Sequence, residues 1–145
     1  MHNQHPWIPP LIKHTEYKDI EDFIEAIYKH FKEDFVDNKP TFRDKRLGLK
    51  RLPLKDGKEA TFWHFISKGD KKREINLPRC KRIKWPKPII ENEHKPEIKV
   101  FSNRRRRNEK RILLWFESIN YVVILAQRND YLLPWTAYIV DTQHE

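Results

Sequence analysis

The last third of the chain contains four short runs rich in β-branched and aromatic residues. The segments between these runs are too short for the crossover connection that parallel strands need. We therefore predict an antiparallel meander of four strands within residues 96–141. Pro134 lies inside the last run, which indicates an edge strand or a bulge. The runs span residues 98–101, 111–116, 121–126 and 131–140, and the longest connection, 102–110, is rich in arginine.

Upstream of the predicted sheet, apolar residues recur every three or four positions. This period predicts an amphipathic helix over residues 20–36. Asp19 is a suitable N-cap residue for that helix, and Asn38 and Pro40 are expected to end it. The apolar positions are Ile20, Phe23, Ile24, Ile27, Tyr28, Phe31 and Phe35.

Shorter elements are expected in the remainder of the chain. The prolines near the start predict an extended arm over residues 1–16, with Trp7, Ile8, Leu11 and Ile12 docked on the body. Thr61 is expected to cap a short buried helix, and three prolines between residues 77 and 90 prevent a long one there. We therefore expect a single domain over 1–145. Its fold class is α+β: N-terminal helices, in a helical and basic part over 17–95, pack on the C-terminal four-stranded antiparallel sheet.

The charge of the chain is unevenly distributed. The whole sequence has 30 Lys and Arg against 21 Asp and Glu, a net charge of +9. The net charge is −4 up to Asp37 and +13 from Asn38 onward. This asymmetry indicates a bounded basic surface and favours a polyanionic partner such as RNA, DNA or an acidic protein.

Several functional classes lack their sequence signatures here. Cys80 is the single cysteine, so an intrachain disulfide and a cysteine-based zinc site are excluded. The histidines have no metal-ligand spacing, and there is neither a glycine-rich phosphate loop nor a Gly-x-Ser-x-Gly motif. We therefore expect no metal and no cofactor. No apolar run is long enough to span a membrane, and the N-terminus lacks a secretion signal, so we expect a cytoplasmic protein.

One reaction that fits such a composition is metal-independent RNA cleavage, because RNA supplies its own nucleophile, the 2′-hydroxyl. The protein must then provide a base, an acid and cations for the phosphate. The candidates are His64, Lys110, Arg111, Arg128, Thr136 and Tyr138, of which we favour His64, Arg111, Thr136 and Tyr138 as the catalytic residues. Strand side chains alternate, so Thr136 and Tyr138 share one face, whereas Trp135 and Ala137 point to the core or a helix. A histidine here is expected to have a pKa near 6.5. The alternative is that these are ordinary structural residues.

Other basic residues are candidates for contacts with nucleic acid. Adjacent guanidiniums at a hairpin tip suit phosphate binding, and a tryptophan among cations suits base stacking. The alternatives are a solvated turn for the arginine run and a place in the core for Trp85. The candidate residues are Arg79, Arg82, Lys84, Trp85, Arg104, Arg105, Arg106, Arg107, Lys110 and Arg128.

The C-terminal half resembles the barnase–EndoU–colicin–RelE group of small nucleases, in particular its phage-associated members. The residues that suggest this are Arg111-Ile-Leu-Leu-Trp-Phe116, Tyr121-Val-Val-Ile-Leu-Ala126 and Tyr131-Leu-Leu-Pro-Trp-Thr-Ala-Tyr138, with Phe62-Trp-His-Phe-Ile-Ser67 upstream. The resemblance implies an α+β fold and a metal-independent ribonuclease, commonly a toxin from a mobile element or prophage. It implies that His64 is the general acid or base, that Arg111 contacts phosphate, and that Thr136 and Tyr138 belong to the site.

The expected partners follow from the same reading. They are RNA as substrate and an acidic antitoxin or immunity protein, with no membrane contact. Two other functions are compatible with the sequence. One is a catalytically silent RNA- or DNA-binding protein, and the other is an interaction protein that docks an acidic partner. The sequence leaves the oligomeric state open.

Overall fold

The computed structural model describes residues 5–106 and 109–140, and for Arg105 and Arg106 it describes the backbone alone. Within these residues four helices precede the main sheet, so the predicted α+β class is confirmed. The helices are α1 (Ile20–Lys32), α2 (Ala60–Ile66), α3 (Leu77–Lys81) and α4 (Pro86–Glu91). Two small hairpins pair β1 (Thr41–Phe42) with β2 (Lys45–Arg46) and β3 (Ser67–Lys68) with β4 (Glu74–Ile75).

The main sheet is the predicted antiparallel meander. Its strands lie in chain order and are β5 (Ile98–Arg106), β6 (Glu109–Phe116), β7 (Tyr121–Gln127) and β8 (Leu132–Ile139). The first hairpin extends further than predicted, because Asn103 pairs with Arg111 and Arg104 with Lys110. Most of the arginine-rich segment predicted as a connection is therefore strand, since ladder pairing at an exposed hairpin needs no apolar side chains.

The predicted front helix is present with its predicted cap. The backbone N–H of Asp22 donates to Asp19 Oδ1 at 2.9 Å. Phe23, Ile27 and Phe31 are buried along one side of α1, as the spacing of the apolar residues requires. After Lys32 the chain continues as a π-helical turn over Glu33–Asp37 and then leaves the helix before Pro40.

The N-terminal arm docks on the body much as expected. Ile8 is buried, and the Trp7 ring stacks on Phe116 with ring centres 5.3 Å apart. The backbone N–H of Ile12 donates to the carbonyl oxygen of Lys81 at 3.0 Å, which ties the arm to α3. Leu11 was also expected to dock, but it is exposed.

The helices cover one face of the main sheet, where the core lies. Alternate residues of the central strands, such as Ile112, Leu114 and Val123, point into that core. The opposite face is called the open face below. Its members on β5 to β7 are Lys99, Phe101, Asn103, Glu109, Arg111, Leu113, Trp115, Val122, Ile124 and Ala126, and register places Thr136 and Tyr138 of β8 on the same side. In the described part of the chain, no helix is both long and apolar enough to cross a membrane.

Candidate active site

The last strand, β8, carries a β-bulge at Trp135. Neighbouring residues of β7 pair with Pro134 and with Thr136, so Trp135 is the extra residue in the ladder. Pro134 has no N–H to donate to a ladder, which makes it a natural place for the break. Ala137 is buried in the core as predicted. Trp135 departs from the expected alternation, and its ring lies against the guanidinium of Arg111.

His64 lies on α2 beside this bulge. The centres of the His64 and Trp135 rings are 5.2 Å apart. Burial lowers the pKa of His64 to about 4, with further lowering by the charges of Arg73, Lys50, Arg79 and Arg111. The prediction of a pKa near 6.5 is therefore wrong. The residues that cause the difference are distant in sequence and become neighbours through the fold.

Lys50 is held next to His64 by the start of α2. The backbone N–H of Lys50 donates to Thr61 Oγ1 at 2.8 Å, and the Thr61 N–H donates to the Lys50 carbonyl at 3.0 Å. Thr61 was expected to cap the helix, but the N-cap residue is Glu59 and it makes no side-chain cap. The Thr61 hydroxyl instead fixes the extended segment that carries Lys50.

Arg73 is anchored by the small hairpin that follows α2. Its Nε donates to Ser67 Oγ at 3.0 Å and its Nη2 to the Ser67 carbonyl at 2.7 Å. Further bonds reach the carbonyls of Gly69 at 2.8 Å and of His64 at 3.3 Å. The sequence analysis did not select Arg73, because an arginine in a polar loop carries no distinguishing signal.

Arg79 joins the last strand to α3. Its Nη1 lies 3.3 Å from Thr136 Oγ1, and its guanidinium lies 5.0 Å from the centre of the Tyr138 ring. Asn76 begins α3 by accepting a hydrogen bond from the Arg79 N–H at 3.1 Å. Burial and the charge of Arg73 lower the pKa of the Arg79 guanidinium. Thr136 and Tyr138 are thus arranged around one half-buried cation.

Arg111 is the most buried cation of the site, with 7% of its surface exposed. Its guanidinium lies 4.3 Å from the centre of the Trp135 ring and forms an ion pair with Glu109. Its Nε is buried and has no hydrogen-bond partner among the described residues. A buried donor without an acceptor is rare in proteins, and a ligand oxygen could satisfy it.

The four predicted catalytic residues therefore lie in one neighbourhood, called the His64 cluster below. The cluster also includes residues that the sequence analysis missed or assigned only to binding. Its members are His64, Arg111, Thr136, Tyr138, Trp135, Lys50, Arg73 and Arg79. An open groove of about 600 Å³ adjoins Tyr138, and among the described residues its lining contains Lys68, Lys81, Arg79 and Arg82 but no carboxylate. The arrangement suits a chain of phosphates.

Of the other predicted binding residues in the α3–α4 region, Arg82 lines the groove next to Arg79 and Tyr138, whereas Trp85 contacts the N-terminal arm. The Trp85 Nε1 donates to the carbonyl of Pro9 at 2.8 Å, and its ring packs edge-on against buried Tyr121. Trp85 thus anchors the arm and packs against the hydrophobic core, which is the alternative expected for it. Arg82 lies over that ring, 5.1 Å from its centre. Lys84 lies close enough for its charge to act on His30 of α1 and on Asp34 of the π-helical turn that follows α1.

A second group of predicted binding residues lies near the tip of the β5–β6 hairpin. Arg104, Lys110 and Arg128 line an open groove together with Glu109 and Asp130. Strand alternation places Lys110 on the opposite side of β6 from Arg111, but Glu109 of the same groove forms the ion pair with Arg111, so the groove and the His64 cluster meet at Glu109. The side chains of Arg105 and Arg106, and the whole of Arg107, lie outside the described residues.

The described residues contain no group of three His, Cys, Asp or Glu side chains placed to share a metal ion. Comparisons of the chain with protein-family models, with curated proteins and with solved structures found no match. The functional argument therefore depends on the geometry of the His64 cluster.

Proposed function

We propose that this chain is a small metal-independent ribonuclease that cleaves RNA through the 2′-hydroxyl. The observation that carries the proposal is that His64, a proton acceptor, lies near four cations and against the Trp135 ring. Phosphodiester cleavage of this kind needs a proton acceptor, a proton donor and positive charge around the phosphate. The His64 cluster offers all three.

The phosphate is expected to bind between Arg111 and Arg79. Arg111 offers its unpaired buried Nε, and a guanidinium can hold two phosphate oxygens at once. Arg79 is half-buried and has lost part of its hydration, so its attraction for an anion is less screened by water. Lys50 and Arg73 add charge close by. These cations would stabilise the negative charge that develops on the phosphate oxygens during cleavage.

His64 is assigned as the general base. Its low pKa keeps the imidazole neutral at pH 7, so it can accept the proton of the 2′-hydroxyl. The 2′-oxygen then forms a bond to phosphorus while the bond from phosphorus to the 5′-oxygen breaks. A bound phosphate places negative charge among the four cations, and we expect the pKa of His64 to rise in the complex as a result.

Tyr138 is assigned as the proton donor to the leaving 5′-oxygen. Its ring lies 5.0 Å from the Arg79 guanidinium, and its phenol is the one acidic side-chain group of β8. Thr136 positions Arg79 through its hydroxyl. The products would be a 2′,3′-cyclic phosphate and a 5′-hydroxyl. His64 would then release its proton to water, and Tyr138 would regain one from water.

The direct test compares His64→Ala with His94→Ala, an exposed histidine outside the cluster. Labelled RNA is incubated with each protein in EDTA, and binding to uncleavable RNA is measured in parallel. His64→Ala should lose roughly 10²- to 10⁴-fold in rate but keep its affinity, and His94→Ala should match the parent. The proposal fails if the parent does not cleave RNA in EDTA or if His64→Ala cleaves at the parent rate.

A catalytically silent RNA- or DNA-binding protein is the second candidate. The observation in its favour is the same low pKa, because a histidine with a pKa of about 4 is a weak proton acceptor. This function predicts salt-dependent binding with no cleavage by the parent protein. Docking of an acidic protein, including an antitoxin or immunity protein, stays a prediction. A pull-down with and without nuclease treatment would distinguish a bound protein from bound nucleic acid.

A further inference from the structure

The open face of the main sheet has apolar and aromatic side chains at its centre, and the helix residues His64 and Arg79 contact it at its β8 side. Phe101 has 49% of its surface exposed, and Leu113, Trp115 and Ile124 are half-buried. None of these four belongs to the hydrophobic core or packs against it. An apolar face of this kind usually marks a binding surface.

This face is continuous with the His64 cluster. One cross-strand row runs from Phe101 through Leu113 and Ile124 to Thr136. Strands lie roughly 4.8 Å apart, so this row extends about 14 Å from β5 to β8. A second row runs in parallel and ends at Tyr138; its other members are Lys99, Trp115 and Val122.

We infer that the open face is a stacking platform for the bases of single-stranded RNA, with Phe101 and Trp115 as its aromatic contacts. The inference rests on the proposed function, because the phosphate held by the His64 cluster fixes where the strand enters the face. Unpaired bases stack on aromatic side chains, and their phosphates follow neighbouring cations. A single strand thus matches both parts of the surface, the aromatic centre and the cationic side at β8.

A second copy of this chain fits the surface less well. In a two-fold dimer through the open face, each copy would bury its own Arg79, whose guanidinium is bonded to the neutral oxygens of Ser67 and Thr136. Burying several charges of one sign without partners is costly. A duplex is also a poor occupant, because its bases are already stacked on each other and cannot reach a flat sheet.

The experiment uses paired substitutions that separate aromatic stacking from apolar contact. Phe101→Leu keeps an apolar side chain and removes the ring, whereas Phe101→Trp keeps a ring; Trp115→Leu and Trp115→Phe form the second pair. The probe is a fluorescent 2′-O-methyl octanucleotide, which cannot be cleaved through its 2′-oxygen. Each leucine variant should bind it roughly 5-fold or more weakly than the parent, and each aromatic variant should bind within about 2-fold of the parent.

A second arm uses the same octanucleotide with one abasic position moved along the strand. At one or more positions, removing the base should weaken binding to the parent protein. The same removal should weaken binding to Phe101→Leu very little, because that variant already lacks the ring. Such non-additive losses show that the ring and the base contact each other. Ile20→Ser, which changes an exposed apolar residue of α1, serves as the control and should leave the affinity unchanged.

The results separate the platform from the proposed catalysis. The platform is overturned if both leucine variants bind like the parent, if the losses are additive at every position, or if the parent does not bind the octanucleotide. It is also overturned if sedimentation shows a dimer that Phe101→Asp dissociates. If the binding pattern holds but natural RNA is not cleaved, the proposed function fails while the platform stands.

Discussion

The guanidinium of Arg111 on β6 lies 4.3 Å from the centre of the Trp135 ring on β8, although β7 separates the two strands. The β7 residue paired with Arg111 is Ala126, whose short side chain leaves room for the arginine to pass over it. The contact therefore joins the middle of the sheet to the bulge at its last strand. The contact also fixes the position of the buried Arg111 guanidinium on the open face.

We expect this contact to contribute measurably to stability. In a double-mutant cycle with Arg111→Gln and Trp135→Leu, urea unfolding should give a coupling free energy of roughly 0.5–2 kcal/mol. Replacing Trp115, on the same face, by leucine should give a coupling with Arg111→Gln near zero. A coupling at the Arg111–Trp135 pair no larger than this control would show that the two groups do not stabilise each other.

The low pKa of His64 predicts an unusual pH dependence of cleavage. The base must be neutral, so kcat/KM should stay constant as the pH falls from 7 to about 5 and should decline around pH 4. Lys50→Gln removes one of the charges that depress this pKa and should move the decline to higher pH. An inflection of the parent profile near pH 6.5 would contradict the described environment of His64.

Protonation of His64 also affects the free energy of unfolding. The pKa of His64 in the folded state, about 4, lies below its ordinary value of 6.5, so the unfolded chain binds the proton more tightly between these values. His64 therefore lowers stability as the pH falls from about 6.5 to about 4. His64→Gln should flatten the dependence of the urea midpoint on pH in that window, and an unchanged slope would argue against the lowered pKa.

Thr61 is predicted to act on the site through Lys50. Thr61 is buried, with 2% of its surface exposed. Thr61→Val keeps the shape of this side chain but leaves the Lys50 N–H without its acceptor. We expect a loss of about 1–3 kcal/mol in the free energy of unfolding and slower RNA cleavage at temperatures where the variant is folded. Thr41→Val, at an exposed position, is the matched control. Equal stability of the two variants would show that the Thr61 hydroxyl is dispensable.

Much of the fold could be predicted from the sequence because its signals are local. The three- and four-residue spacing defines α1, and Asp19 caps it as expected. Strand-like runs joined by short connections define the order of β5 to β8. The extension of β5 could not be predicted, because Asn103 and its neighbours have polar side chains and are held in the ladder by backbone pairing.

The candidate site could be predicted only in part. Thr136 and Tyr138 were expected on one strand face, and they share the contact with Arg79. Trp135 was missed because strand alternation does not hold at a bulge, although Pro134 was a visible sign of one. The pKa of His64 could not be predicted, since it depends first on the burial of the ring in the fold and then on charges from four separate segments of the chain.

The most direct test uses a DNA oligonucleotide that contains a single ribonucleotide. Incubated with the protein in EDTA, it offers one 2′-hydroxyl, and mass spectrometry identifies the ends of the products. The account predicts one cut, immediately 3′ of the ribonucleotide, with a 2′,3′-cyclic phosphate on one fragment and a 5′-hydroxyl on the other. Cleavage at deoxynucleotides, or an intact oligonucleotide under conditions in which it binds, would contradict the account.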